Sequence, residues 1–134
     1  MNAGWALQKA IYNTLTSDGA LTDLLGGQRI YDEVPRGAEF PYVTLGQSTV
    51  RDWSTATDDG EEHVLTLHVW SEANGHREAT EIIGALRGAL HDRELGVSGH
   101  RLVNLRQEFA EARREPDGEA YHALVRYRAV TEPL

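Results

Sequence analysis

The stretch EHVLTLHVW, residues 62–70, decides the fold because it has the two-residue period of a β-strand. Alternate side chains of a strand point to opposite faces of its sheet. One predicted face therefore carries His63, Leu65, Leu67 and Val69, and the other carries Val64, Thr66, His68 and Trp70. Because both faces are partly apolar, we predict that this strand lies in the centre of a sheet.

Two helical patterns flank this strand. The first, over residues 3–15, places an apolar side chain at every fourth position, at Leu7, Ile11 and Leu15. A short helical turn follows, with a cap offered by Ser17 and Asp18 and a stop at Gly26 and Gly27. The second helix is predicted to open at Asn74 and Gly75, and its apolar stripe consists of Ala79, Ile82, Ile83, Leu86 and Leu90.

Four further strands are predicted, at residues 29–31, 42–45, 101–112 and 120–131. The turn sequence Pro-Asp-Gly at residues 116–118 joins the last two into a C-terminal hairpin. We expect Trp5 and Trp70 to pack in the core. The predicted fold is α+β: a single domain over residues 1–134, with a mostly antiparallel sheet of about five strands and two main helices packed on one face.

Composition excludes several classes of function. The formal net charge of −8 argues against a nucleic-acid-binding protein, which normally presents clustered Lys and Arg to phosphate. The absence of cysteine excludes disulfides, thiolate metal sites and a cysteine nucleophile, and it fits synthesis inside the cell. No apolar stretch approaches the roughly 20 residues that span a bilayer, so we expect no membrane association.

The sequence also lacks the spacings that build common active sites. His63 and His68 are five residues apart on one strand, which places their side chains on opposite faces. The segment GVSGH, residues 96–100, resembles a serine nucleophile elbow, but it lacks the final glycine and a preceding strand. No glycine-rich phosphate-binding loop and no metal-binding motif is present. We therefore predict no catalytic residue, no metal and no cofactor.

The polar connection at residues 49–62 stands out because it combines five acidic residues with one arginine and one tryptophan. One interpretation is a solvated loop whose tryptophan folds back onto its own domain. The other is a docking arm that orders on a partner, because long loops are uncommon unless functional and Trp often anchors interfaces. The predicted protein-interface residues are Arg51, Asp52, Trp53, Asp58 and Asp59.

Several phrases of the sequence together resemble one protein family. They are the helical opening at residues 7–25, RIYDEVP at 29–35, FPYVTLG at 40–46, DWST at 52–55, LTLHVWS at 65–71 and GHRLV at 99–103. As a set, they are similar to the tail-terminator, or tail-completion, proteins of long-tailed phages and gene transfer agents.

That resemblance implies a virion structural protein, a small subunit of a homohexameric ring. The ring would sit on the last ring of the tail tube protein, stop its growth and join the tail to head–tail connector proteins. DNA would pass through the lumen without specific binding, since an acidic wall repels phosphate. The subunit would be cytoplasmic during assembly and then part of the released particle, at the head–tail junction. The resemblance brings no catalytic residue.

Two alternatives remain open from the sequence. In the first alternative, the chain forms another ring of the same particle, such as a head–tail connector or a tube-type protein. In the second alternative it is a small hydrolase or ligand-binding α+β protein. A deep pocket that holds His63 or His122 beside a carboxylate would favour this second alternative.

Overall fold

The computed structural model describes residues 2–72, 75–118 and 120–134. Asn74, predicted to open the second long helix, lies outside these residues. The helices are α1 (Ala3–Thr16), α2 (Gly19–Leu25) and α3 (His76–Leu90). The strands are β1 (Ile30–Tyr31), β2 (Tyr42–Asp52), β3 (Glu61–Glu72), β4 (His100–Arg114) and β5 (Ala120–Pro133). No helix in the described ranges has the length and apolar character needed to cross a bilayer.

The five strands form one sheet in the order β1-β2-β3-β5-β4. The short β1 runs parallel to β2, and all other neighbours are antiparallel. The predicted central strand is confirmed, because β3 is paired with β2 on one side and with β5 on the other. The predicted C-terminal hairpin and the predicted α+β fold class are also confirmed.

The core lies between one face of the sheet and the helices. The predicted two-residue alternation decides which strand residues enter it: Leu65, Leu67 and Val69 of β3 and Ala123, Val125, Tyr127 and Ala129 of β5 are buried. The predicted helical stripes supply the other side of the same cluster, with Leu7, Ile11, Leu15, Ile82, Leu86 and Leu90. Each large apolar side chain buried in this way stabilises the fold by about 1.5–3 kcal/mol relative to an exposed one.

The opposite side of the sheet carries no helix in the described part of the chain, and we call it the bare face. On this face Glu62 and Val130 are buried, and the other side chains of the central part of the sheet are partly exposed. In the central strands they are Val64, Thr66, His68, Trp70, His122, Leu124, Arg126 and Arg128.

The prediction that both Trp5 and Trp70 belong to the core was wrong. Trp5 is 52% exposed, because it lies two positions before Leu7 and is therefore turned about 200° from it around the axis of α1. Trp70 lies on the bare face, where its ring stacks on His122 with centroids 4.0 Å apart. In contrast, the cap predicted at Ser17 and Asp18 is present at Asp18, whose carboxylate accepts from the Leu21 backbone N–H at 2.9 Å.

β2 is longer than predicted. Its pairing with β3 continues past Leu45 and places residues 49–52 opposite residues 61–64. An irregularity between Leu45 and Ser48 adds one residue to β2, which is the signature of a β-bulge. Thr49 and Val50 are β-branched and therefore favour a strand. Much of the predicted loop is thus paired in the sheet. The unpaired connection shrinks to residues 53–60.

The bulge predicts a specific sensitivity at Gly46. A Cβ at this position would lie 2.6 Å from Nε2 of His68 and 2.9 Å from the backbone oxygen of Thr66. The Gly46→Ala variant should therefore lose about 1–3 kcal/mol of unfolding free energy. Gly84→Ala, in the middle of α3 with nothing within 4 Å of the added methyl, should gain up to about 1 kcal/mol. Urea unfolding of both variants checks this, and equal stabilities would contradict the close approach.

Candidate docking site at the end of the β2–β3 hairpin

Residues 53–60, which we call the hairpin tip, form a structured end rather than an unstructured arm. The Trp53 N–H donates to the Gly60 carbonyl at 2.8 Å, and the Thr55 N–H donates to the Asp58 carbonyl at 2.8 Å. The Ser54 hydroxyl accepts from the Gly60 N–H at 3.1 Å and ties the two sides together. The ladder of β2 and β3 therefore continues into the tip, which projects from one end of the sheet.

Trp53 lies beside two arginines on the bare face. The guanidinium carbons of Arg51 and Arg128 are each 5.2 Å from the centroid of the Trp53 ring. Both distances are within the range of cation–π contacts. Nevertheless, 47% of Trp53 is exposed. The ring therefore folds back onto its own domain, as the first interpretation predicts, and about half of its surface stays exposed. Docking to a partner stays a prediction.

Glu62 holds the two arginines in place. Its carboxylate accepts from Nε of Arg51 at 2.5 Å through one oxygen and from Nε of Arg128 at 2.6 Å through the other. Only 7% of Glu62 is exposed. The hydrogen bond from Arg128, with that from Arg51, holds the pKa of Glu62 below its usual value against the opposing effect of burial. We call Arg51, Trp53, Glu62 and Arg128 the Trp53 cluster.

Glu62 and Arg128 were not among the predicted interface residues. Arg128 comes from β5, and it reaches Glu62 across 66 positions of sequence. The sequence carried one usable signal for this contact: Arg128 alternates with apolar residues on the exposed side of its strand. That signal indicates on which face of the sheet Arg128 lies, but it does not identify Glu62 as its partner.

The three predicted aspartates lie outside the Trp53 cluster. Asp52 accepts from the backbone N–H and the hydroxyl of Ser54, at 3.1 and 2.6 Å, and these hydrogen bonds lower the pKa of Asp52. Asp58 accepts from the Thr57 hydroxyl at 3.2 Å, and its side chain points into solvent. Asp59 lines an open groove of about 380 Å³ together with Asp52 and Glu61. The tip thus presents acidic groups at its end and a tryptophan with arginines at its side.

Neither His63 nor His122 lies beside a carboxylate in a deep pocket, and His100 lines only open grooves. His63 is buried, with Nε2 2.8 Å from the Thr131 hydroxyl. His122 has a carboxylate neighbour, since its Nδ1 is 2.9 Å from Glu115, and its Nε2 is 2.7 Å from Nδ1 of His68. The cavity beside His122 measures only about 70 Å³, whereas ligand pockets occupy roughly 300–1,000 Å³. Burial and the neighbouring His122 lower the pKa of His68.

The segment at residues 96–100 does not form a nucleophile elbow, and the described residues hold no metal-binding cluster. Ser98 lies in the connection from α3 to β4, whereas a nucleophile elbow joins a strand to a helix. Its carbonyl lies 2.9 Å from Nδ1 of His100. Among residues 2–72, 75–118 and 120–134, no group of three or more His, Asp or Glu side chains is arranged to hold a metal ion.

The lowered pKa of Glu62 predicts how stability responds to acid. The unfolded chain binds this proton near pH 4.5 and the folded chain at lower pH, so the stabilisation is complete above that value. It is lost as the pH falls through the folded pKa. Below about pH 4.5, the unfolding free energy of Glu62→Gln should therefore fall less steeply with pH than that of the wild type. The difference in slope should correspond to at most one proton.

Urea unfolding between about pH 3 and pH 7 measures this slope. Glu81→Gln is the control, because that carboxylate pairs with a highly exposed arginine on a helix. An unchanged slope in Glu62→Gln would show that the two arginines do not hold the carboxylate in solution.

Comparisons with known proteins confirm the resemblance. The family model described as tail completion protein gp17 matches residues 9–132. The tail completion protein gp17 of Bacillus phage SPP1 is 25% identical over 126 residues, which cover 94% of this chain and 92% of that protein.

Solved structures agree with the sequence comparison. A chain in the virion of a native gene transfer agent particle superposes with a TM-score of 0.88 at 34% identity, over 97% of each chain. The structure of bacteriophage SPP1 gp17 shares the fold, with a TM-score of 0.65 at 22% identity over 95% of this chain and 89% of that one. Because the family model covers nearly the whole length, the protein belongs to the tail completion protein gp17 family.

Proposed function

We propose that this protein is a structural subunit of a phage-like tail, which forms a six-membered ring that ends the tail tube and joins it to the head. The observation that carries the proposal is the end-to-end match to a chain of a gene transfer agent virion, at a TM-score of 0.88. The name of the SPP1 relative, a tail completion protein, supports the same role. The proposed partners are other copies of this chain, the tail tube protein and head–tail connector proteins.

The sheet edges support self-association. Within the described residues, β1 pairs with Val43 and Thr44, and the outer edge of β2 beyond them pairs with no strand. β4 forms the other edge of the sheet over its whole length. Open edges invite uncontrolled pairing, and a closed ring of copies is one way to protect them.

The hairpin tip supports a contact along the ring axis. It follows the end of β2, where Arg51 and Asp52 lie, and itself carries the other proposed interface residues Trp53, Asp58 and Asp59. A half-exposed Trp beside two arginines combines the residue types that most often carry binding energy at protein interfaces. Because the Trp53 cluster is already assembled in the subunit, docking costs little ordering of this anchor.

A structural role rather than a catalytic one fits the geometry of the described residues. The cavity beside His122 is too small for a substrate, the larger grooves that His100 lines are open to solvent, and Ser98 does not lie on a strand-to-helix turn. In the proposed ring, the net charge of −8 would repel DNA from the wall of the lumen. The subunit would assemble in the cytoplasm and then remain in the particle at the head–tail junction.

Association of the purified protein tests the ring. Light scattering should detect hexamers, either of the protein alone or after it is mixed with its tail tube protein. Electron microscopy of the mixture should then place the ring at one end of the tubes. A monomer under both conditions would contradict the proposal.

Trp53→Ala should separate docking from folding. Loss of two exposed cation–π contacts should cost about 1–2 kcal/mol of stability, below the 3–5 kcal/mol of a buried tryptophan. Loss of an interface anchor should cost about 2 kcal/mol or more of binding. We therefore expect a folded variant that fails to cap tail tubes in a complementation assay.

Trp5→Ala is the matched control, because Trp5 is 52% exposed on α1, against 47% for Trp53. It should cap tubes normally. Normal capping by Trp53→Ala would contradict the docking role of the tip, and a loss of folding would place Trp53 among the core residues.

A further inference from the structure

Two histidines in adjacent strands form a hydrogen-bonded chain with a glutamate on the bare face. Nδ1 of His68 in β3 lies 2.7 Å from Nε2 of His122 in β5, and Nδ1 of His122 lies 2.9 Å from Oε1 of Glu115. The indole of Trp70 stacks on His122 with centroids 4.0 Å apart. Only 12% of the His122 side chain is exposed, so this chain of contacts is a packed part of the sheet.

The carboxylate at one end determines which ring nitrogens carry protons. An ionised carboxylate only accepts hydrogen bonds, so Nδ1 of His122 carries a proton and donates to Glu115. Nε2 of a neutral His122 is then an acceptor, and the contact requires a proton on Nδ1 of His68. In this state both histidines are neutral and both hydrogen bonds are made.

The other edge of the His68 ring lies against the β-bulge of β2. A Cβ at Gly46 would lie 2.6 Å from Nε2 and 2.7 Å from Cδ2 of His68, so this edge is close to the backbone of the glycine. Gly46 belongs to the irregular stretch between Leu45 and Ser48, which sets the register of the rest of β2. The hydrogen bond to His122 thus orients a ring that packs on the bulge.

The other titratable and charged side chains around the two histidines carry both signs of charge. No helix covers this face in the described part of the chain, and β2 presents uncharged Thr44 and Gly46 to His68. By alternation and pairing, the groups on the bare face are Tyr42 on β2, Glu72 on β3, Glu111 and Arg113 on β4, and Arg126 on β5. Two glutamates and two arginines offset one another, so Glu115 is the direct electrostatic partner of the pair.

We propose that His68 and His122 form an acid-sensitive switch, which holds the β2 bulge at neutral pH and releases it in acid. A first proton on Nε2 of His122 points an N–H at the Nδ1–H of His68. The contact is then kept only if His68 moves its own proton to Nε2, the edge that lies against Gly46. A second proton leaves two N–H groups and two like charges facing each other, so the contact breaks.

The sign of the response follows from His68. Burial, with the neighbouring His122, lowers the pKa of His68, so the folded chain binds this proton at lower pH than the unfolded chain does. The neutral pair therefore stabilises the fold fully above about pH 6.5. This stabilisation is lost as the pH falls through the folded pKa of His68. The loss begins near pH 6.5, before the acid response of Glu62 near pH 4.5.

NMR spectroscopy of the full chain tests the switch directly. The ring nitrogen shifts should show both histidines with a proton on Nδ1 at about pH 8, and both rings should change together on acidification. The protection of the backbone amides of Gly46 and Ser48 against hydrogen exchange should fall at least about tenfold between about pH 7.5 and about pH 5. The rest of β3 should stay protected, because the opening is local.

The His68→Gln variant isolates the titration. Its amide can still donate to His122 but does not take up a proton. Between about pH 6.5 and pH 4.5, its unfolding free energy should fall less steeply than that of the wild type, by at most one proton. His76→Gln is the control, because His76 is exposed at the start of α3, and it should behave like the wild type. Buried His63 is present in all three proteins, so its own titration cancels.

Several results would overturn the inference. One is a pair of rings that titrate independently, each with the pH profile of exposed His76. Another is equal pH dependence of unfolding in the wild type and in His68→Gln. A third is protection of the bulge amides that does not change with pH in the wild type. If His68→Gln does not fold, the ring shifts and amide protection of the wild type decide between these results and the switch.

Discussion

Hydrogen bonding of β3 on both sides is the constraint on which the rest of the structure depends. β3 is paired with β5 along its whole length and with β2 along most of it, so its register fixes the face of every neighbouring side chain. A slip of one residue would move Leu67 to water and His68 into the helix layer. The apolar set of β3 therefore determines both the buried core and the composition of the bare face.

The β-bulge in β2 links this register to the candidate site. Leu45 and Ser48 face the helices, opposite Leu67 and Leu65, although three positions separate them in the sequence. Strict alternation from Leu45 would turn Arg51 toward the helices. The extra residue returns Arg51 to the bare face, where it meets Glu62 and Trp53. Gly46 permits this local geometry because the chain passes close to His68.

These relations explain which features could be predicted from the sequence. The central strand, the helical stripes and the C-terminal hairpin depend on local periodicity and turn chemistry, and each was predicted at close to its observed place. The length of β2 could not be predicted, because a bulge breaks the two-residue period. The Trp53 cluster also escaped prediction, because Arg128 reaches it from β5 through a strand pairing that only the assembled sheet defines. The burial predicted for Trp5 followed from its residue type, whereas its position around the axis of α1 turns it away from the apolar stripe.

In the proposed ring, the charge distribution meets two opposing demands. A wall that does not hold DNA benefits from negative charge, yet identical acidic subunits repel one another as they assemble. A uniform distribution of the twelve arginines would leave every surface acidic and every contact between copies repulsive. Six arginines and five glutamates on the bare face bring this surface to about neutral, at +1, while the total stays at −8. Since this face is defined by the alternation of β3 and β5, the sheet that buries the core also fixes which charged side chains this surface presents.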